Sequence, residues 1–294
     1  MTRVNLFLLT VLVVLAGVGC SGEAAGEKPR SDAVAYLDFD GFRRSFILHA
    51  PATIGDDPLP LVLVLHGFTS SADEMHEASP FSDFADRDGA LVAYPNGLEY
   101  PWDERNPRAW NPGGPWEQWT RGTDDVGFIA ALIDHIGRHY PVDRDRVYVT
   151  GHSNGARMTY RLATELADHI AAIAPHSGLR VVDSLPPAEN PIPVLHLHAR
   201  NDEAVPFNGQ KLEGVLYPGA VELLTDWAVH YGGEPTPETD ADGEVTTMRW
   251  YGENRVPEIV LYATDRGEHK WFNRENSGVS AHEVIWSFFM SQAR

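Results

Sequence analysis

One stretch constrains this chain more than any other. Val147–Arg157 reads Val-Tyr-Val-Thr-Gly-His-Ser-Asn-Gly-Ala-Arg, with Gly151-x-Ser153-x-Gly155 at its centre. An apolar, β-branched run over Arg146–Thr150 leads in, and a helical pattern leads out. The five-residue motif by itself arises by chance in roughly one chain of this length in ten. Chance seldom sets it between a buried strand and a helix. A nucleophile elbow needs that setting, because a sharp strand-to-helix turn lifts the serine hydroxyl above the sheet edge. The two glycines remove side chains that would collide at the turn. Ser153 is therefore the candidate nucleophile.

The segments around it fit an α/β chain. Leu61–Leu65 is an unbroken apolar run, as expected of a parallel strand covered on both faces, and it leads into His66-Gly67-Phe68. Further strands are expected at Arg44–His49, Ala90–Tyr94, Ala171–Ala174, Pro193–His198 and Glu258–Tyr262. Helices are expected near Pro80–Arg87, Asp124–Tyr140, Asn154–Ile170, Ala220–Tyr231 and Ala281–Gln292. Their alternation predicts an α/β-hydrolase fold, a mostly parallel sheet with helices on both faces. Asp124 and Asp125 stand where carboxylates cap free helical N–H groups. Leu98–Thr123 shows no period and carries Trp102, Trp110, Trp116 and Trp119, so it reads as a long functional loop.

The N-terminal end has a different character. Arg3 precedes an apolar run from Leu6 to Val18, too short to span a bilayer and suited to a secretory signal. Ala16-Gly17-Val18-Gly19-Cys20-Ser21 resembles a bacterial lipobox, with Gly17 where an aliphatic residue is usual. Cys20 is then the expected lipid-attachment residue; an ordinary signal peptide with an incidental cysteine is the alternative. The expected organisation is a signal segment at 1–20, a flexible tether at 21–32 and one catalytic domain at 33–294. Export follows from this reading, with membrane contact only through the lipid.

Composition excludes several function classes. The chain carries 23 basic and 42 acidic residues, a net charge of −19, which repels phosphate backbones and makes nucleic acid an unsuitable partner. With one cysteine there is no intrachain disulfide and no cysteine-rich metal centre. The 13 histidines are scattered, and His196-x-His198 falls on an expected strand without a further ligand at metal-site spacing. No metal and no cofactor are expected.

A serine is a weak nucleophile at neutral pH; it needs a base, and the base needs an orienting carboxylate. On this fold both follow the serine in the order acid, then histidine, each on a loop after a strand. Asp202 directly follows Pro193–His198, and His269 follows Glu258–Tyr262. Glu203 and Asp265 are rivals for the acid. Asp265 reads better as a turn residue on the loop of His269, while His282 starts a helix and is expected to be exposed. Backbone N–H groups of Phe68 and Asn154 are placed to receive an oxyanion. His66 is expected to brace its loop. Trp110 and Trp271 read either as walls for the acyl group or as core packing.

These residues carry a resemblance. Leu65-His66-Gly67, Tyr94-Pro95-Asn96-Gly97, Trp110-Asn111, Asp124-Asp125-Val126-Gly127-Phe128, Val149-Thr150-Gly151-His152-Ser153-Asn154-Gly155, His198 to Asp202 with Val205-Pro206, and Gly267-Glu268-His269-Lys270-Trp271 recur in one pattern along nearly all of the chain past the signal segment. It resembles the bacterial polyhydroxybutyrate depolymerase and feruloyl or acetylxylan esterase type, similar to carbohydrate esterase family 1. The resemblance implies a secreted, cofactor-free α/β-hydrolase cleaving carboxylic esters, and its triad maps onto Ser153, Asp202 and His269. The chain departs from the pattern in lacking the cysteines common after Trp-Asn, and in having Ala156 after Asn154-Gly155, Glu268 before His269 and Phe272 for a proline.

The resulting expectation is a serine esterase acting through an acyl-enzyme on polyhydroxyalkanoate-type oligoesters or on feruloyl or acetyl esters of polysaccharides. A serine peptidase or acyltransferase on the same fold, or a catalytically silent surface-binding protein, are the alternatives. The fold alone does not choose among them.

Overall fold

The computed structural model describes residues 28–102, 104, 106–181, 185–187, 189–212, 215–252 and 258–294. The expected signal segment, Cys20 and most of the tether lie outside them. The chain runs β1 (Val34–Phe39), β2 (Phe42–His49), β3 (Leu59–Leu65), α1 (Ala72–Ala78), α2 (Phe81–Asp88), β4 (Leu91–Pro95), β5 (Leu98–Glu99), β6 (Arg108–Ala109) and α3 (Pro115–Trp119). It continues through α4 (Asp125–His139), β7 (Val142–His152), α5 (Asn154–Glu165), β8 (Ala172–His176), β9 (Val194–Ala199), β10 (Gln210–Leu212), β11 (Val215–Tyr217) and α6 (Ala220–His230). The last elements are β12 (Glu238–Asp242), β13 (Val245–Trp250), β14 (Ile259–Thr264), α7 (Arg274–Ser277) and α8 (Ala281–Met290).

Ten strands form one sheet in the order β1-β2-β4-β3-β7-β8-β9-β14-β13-β12. The central pairs from β4 to β14 are parallel, and both edges are antiparallel hairpins. The middle strands are buried along almost their whole length, which is why they read as apolar runs rather than alternations. One apolar layer packs α4, α5 and α6 against the sheet; the other packs α2 and α8 against its opposite face. The β1–β2 turn is Asp40-Gly41, with φ of 49° and 77°, the two-residue geometry that suits the twist of a hairpin. At the far edge every residue of β12 is exposed, and Glu238, Asp240 and Asp242 discourage another chain from pairing there.

Three expectations need correcting. Residues 98–123 are not a structureless loop: Leu98–Glu99 pairs with Arg108–Ala109, and a helical turn, α3, follows. Asp124 caps α4 by accepting from the Gly127 N–H at 2.8 Å, but Asp125 does not cap. It is fully buried, pairs with Arg44 at 2.7 Å and accepts from the Asn111 N–H at 2.7 Å, joining β2, the Trp110–Asn111 segment and α4. Burial pushes the Asp125 carboxyl up, and the Arg44 charge opposes that push. Finally, the last tether residues pack on the domain: Pro29 is buried, and its carbonyl accepts from Tyr140 Oη at 2.7 Å.

Candidate active site

The elbow takes the form its sequence predicts. β7 ends at His152, Ser153 adopts φ 54° and ψ −112°, and α5 begins at Asn154. A non-glycine residue held there stores about 1–3 kcal/mol of backbone strain. The neighbouring glycines are obligatory. A Cβ on Gly151 would lie 2.7 Å from the Gly155 carbonyl carbon, and one on Gly155 would lie 2.5 Å from the Leu65 oxygen. The Ser153 N–H donates to the His176 carbonyl at 3.0 Å, tying the turn to the end of β8.

The structure brings the three expected side chains together. Ser153 Oγ lies 2.8 Å from His269 Nε2, and His269 Nδ1 lies 2.8 Å from Asp202 Oδ2. Asp202 is 4% exposed and its loop fixes it: Oδ1 accepts from the N–H groups of Ala204 and Val205 at 2.9 and 2.8 Å. Burial by itself would raise the Asp202 pKa; hydrogen bonds from His198, His269 and the Val205 N–H hold it well below the usual carboxylate range. Asp202 is thus ionised when the imidazole beside it needs a counter-charge. The rival acids fall away, since Glu203 is exposed and Asp265 pairs with Arg200 at 2.7 Å on the surface. On the loop of His269, Glu268 has φ 55°, and its N–H donates to Asn201 Oδ1 at 3.0 Å, coupling this loop to that of Asp202.

The His-x-His pair is a structural relay. Tyr160 Oη lies 2.8 Å from His196 Nδ1, His196 Nε2 lies 3.0 Å from His198 Nδ1, and His198 Nε2 lies 2.8 Å from the Val205 carbonyl and 3.5 Å from Asp202 Oδ2. The chain of contacts ends under the carboxylate that orients His269. Beside it rings pack on one another: His152 against His269 at 4.8 Å and His176 against Trp271 at 4.8 Å, both tilted, and Trp271 stacked on His282 at 4.9 Å. Burial lowers the pKa of His152 to about 3 and of His282 to about 4, and pushes His176 well down, so these three rings stay neutral at neutral pH. His282, expected to be exposed, instead packs between Trp271 and Phe81.

The candidate oxyanion N–H groups, those of Phe68 and Asn154, lie on either side of the elbow turn. A Cβ on Gly67 would lie 3.7 Å from Ser153 Cβ, so the His66–Ser70 loop passes beside the nucleophile. Among the described residues no acceptor takes the N–H of Phe68 or Asn154. His66 braces the loop as expected. Its Nε2 accepts from the Gly97 N–H at 2.9 Å, its Nδ1 donates to the Gly67 carbonyl at 2.7 Å, and burial lowers its pKa to about 4.

Trp110 is fully buried, so of its two readings packing is the one its placement fits. Its indole donates to the His66 carbonyl at 3.1 Å, and its backbone pairs with the Asn154 side chain at 2.7 and 3.2 Å. Trp271 is half-buried within the stacked rings, beside His269. Sequence reasoning missed two features. The Phe68 ring packs against Trp102 and Trp116 at 5.7 and 5.8 Å, which sets these two tryptophans beside the His66–Ser70 loop. Arg157, one turn along α5 from Ser153, is 7% exposed between Trp116 and Tyr217. Neither has a local signal, because both arise from contacts between distant segments.

A hydroxyl, an imidazole and a buried carboxylate in this order can pass a proton from Oγ to Nε2 while the carboxylate stabilises the imidazolium. Comparison with known proteins places the chain. Residues 44–223, more than half of it, match the profile described as esterase PHB depolymerase. The chain belongs to that family. It is 31% identical over 182 residues to a bifunctional acetylxylan esterase/xylanase, XynS20E, of Neocallimastix patriciarum, covering 62% of this chain and 24% of that protein. It is 32% identical over 197 residues to feruloyl esterase B of Piromyces equi, covering 63% of this chain and 35% of that one. The chain thus spans about a quarter to a third of the length of these relatives. An acetyl xylan esterase from Aspergillus awamori shares the fold, with a TM-score of 0.61 at 16% identity over 87% of this chain and 99% of that one. The α/β-hydrolase architecture expected from the sequence is the one observed.

Proposed function

We propose that this protein is an exported carboxylic ester hydrolase working through an acyl-enzyme on Ser153. The observation that carries the reading is the hydrogen-bonded series Ser153 Oγ, His269, Asp202, seated on a strained elbow. Oγ attacks the ester carbonyl carbon while His269 Nε2 takes its proton. The carbonyl oxygen becomes an oxyanion facing the N–H groups of Phe68 and Asn154. His269 then gives the proton to the departing alcohol, leaving the acyl group on Ser153. A water molecule, deprotonated by the same imidazole, attacks that acyl group; collapse returns the carboxylic acid and the free serine. Asp202 keeps Nδ1 protonated and offsets the imidazolium charge in both halves. Trp271, which packs on His152 next to Ser153, and the Phe68–Trp102–Trp116 group are the aromatic surfaces proposed to meet the acyl or alcohol portion.

The substrate class rests on family membership and on the acetylxylan and feruloyl esterase relatives: acetyl or feruloyl esters of polysaccharides, or hydroxyalkanoate oligoesters. Export rests on the Leu6–Val18 run, with Cys20 as the proposed lipid anchor. The test is hydrolysis of acetylated xylan, methyl ferulate and 3-hydroxybutyrate oligomers side by side, with a short 4-nitrophenyl ester as reference. One of the three natural classes is expected to be cleaved with the highest kcat/KM. Cleavage of the reference ester alone would leave the mechanism standing and overturn the substrate class; cleavage of nothing would overturn both.

A further inference from the structure

A second cluster sits where the chain first meets the sheet edge. Asp32, at φ 57°, lies just ahead of β1, and its N–H donates to the Leu48 carbonyl at 2.9 Å. Ser31 Oγ donates to Asp32 Oδ2 at 2.9 Å, leaving Oδ1 for other partners. Two imidazoles from separate elements meet that one oxygen. His49 Nδ1, at the end of β2, lies 2.8 Å away, and His76 Nε2, on α1, lies 3.0 Å away. The far nitrogen of His49 is 3.2 Å from Asp86 Oδ1 on α2, and His76 packs edge-on against Tyr94 at 5.2 Å. No hydrogen bond among the described residues links this cluster to Ser153, Asp202 or His269.

We propose that Asp32, His49 and His76 bind one divalent transition-metal ion of the zinc class, stapling the N-terminal segment to β2 and α1. The three donor atoms lie within 4.8 Å of one another, and two imidazole nitrogens with one carboxylate oxygen form a donor set that such ions favour. Calcium and magnesium demand mainly oxygen ligands and do not suit it. The surroundings are those of a built site. A metal-bound histidine characteristically donates its other N–H to a carboxylate, and Asp86 stands at that position for His49. His49 Nδ1 faces Asp32 and its Nε2 faces Asp86, so an ion held on Nδ1 leaves Nε2–H for the Asp86 carboxylate.

Ligand atoms about 2.0–2.1 Å from a tetrahedral ion stand about 3.3 Å apart, so the present 2.8 and 3.0 Å contacts to Asp32 need open by only a few tenths of an ångström, while the two imidazole nitrogens, within 4.8 Å of each other, settle toward the same spacing. The Asp32 side chain is 44% exposed and that of His76 24%, which leaves a path for the ion and room for a water as fourth ligand.

The full chain, stripped with a chelator and dialysed, is titrated calorimetrically with Zn²⁺ and separately with Mg²⁺, alongside Asp32→Asn and His76→Ala. The isosteric Asp32→Asn guards against a variant that merely misfolds, and far-UV circular dichroism confirms the fold of each. Expected are one Zn²⁺ per chain, no Mg²⁺ at the same concentration, a thermal midpoint several degrees higher with Zn²⁺, and at least tenfold weaker binding in both variants. Co²⁺ in place of Zn²⁺ should give the intense visible bands of a tetrahedral site. Zn²⁺ binding that is absent below about 100 µM, or equal in wild type and both variants, would overturn the proposal. Ester hydrolysis is expected to be unchanged in both variants.

Discussion

Glu268 shows what a single position can cost. It precedes His269 and has φ 55°, a region where a side chain crowds the backbone and glycine does not. Its carboxylate reaches only Lys270, at 2.5 Å on the surface, a contact worth little. The strain is kept because the Glu268 N–H bonds Asn201 and so fixes the base loop to the acid loop. Glu268→Gly retains that N–H and removes the crowding. It is expected to raise the unfolding free energy modestly, by up to about 1 kcal/mol in chemical denaturation, with kcat/KM within about twofold of wild type; a loss of stability would show that the side chain contributes more than its surface contact. The candidate triad was legible because each member carries a local sign: a Gly-x-Ser-x-Gly turn, an Asp directly after an apolar strand, and a His on the next strand's exit loop. The His198 contact with Asp202 and the Arg157 position were not, since strand spacing alone does not say which buried imidazole meets which carboxylate.

At the scale of elements, the elbow depends on how closely α5 approaches β3. A Cβ on Gly155 would stand 2.5 Å from the Leu65 oxygen and 2.6 Å from the His66 oxygen, both backbone atoms that cannot swing aside. Gly155→Ala must therefore push α5 off the sheet and the His66–Phe68 loop off the nucleophile. We expect a destabilisation of about 1–3 kcal/mol, read by chemical denaturation, and a kcat loss exceeding what the fraction unfolded explains. An active, fully stable variant would mean that the helix yields more readily than this packing allows. Elements with long buried runs, β3, β4, β7, β8, β9 and β14, were legible because burial on both faces leaves a continuous apolar signature. The β12–β13 hairpin and α3 were not. β12 is exposed on both faces and so has no apolar alternation, and α3 is five residues with no buried side chain.

Across the whole molecule, the buried histidines with depressed pKa values make stability depend on pH in one direction. Burial holds His66 and His282 at about 4, His152 at about 3, and His176 and His196 well below the ordinary value of 6.5. Below about pH 6.5 the unfolded chain takes up protons that the folded chain refuses. Stability is therefore fully present above that pH and falls as the pH drops toward 4, by about 1.4 kcal/mol per pH unit for each such group. The depressed Asp202 acts in the same sense at still lower pH. The urea midpoint should drop steeply between pH 7 and pH 5; a flat midpoint over that range would show that these rings are not held neutral. The Asp32–His49–His76 cluster belongs to this scale as well. Its members come from the segment ahead of β1, from β2 and from α1, a grouping that motif spacing along the chain does not reveal.

In the proposed mechanism the Ser153 hydroxyl performs the chemistry. The most direct measurement is kcat/KM for a short 4-nitrophenyl ester with wild type and Ser153→Ala, the variant's fold being checked by thermal unfolding. A loss of about 10³-fold or more with an intact unfolding transition is the predicted result. Turnover by Ser153→Ala close to that of wild type would contradict it.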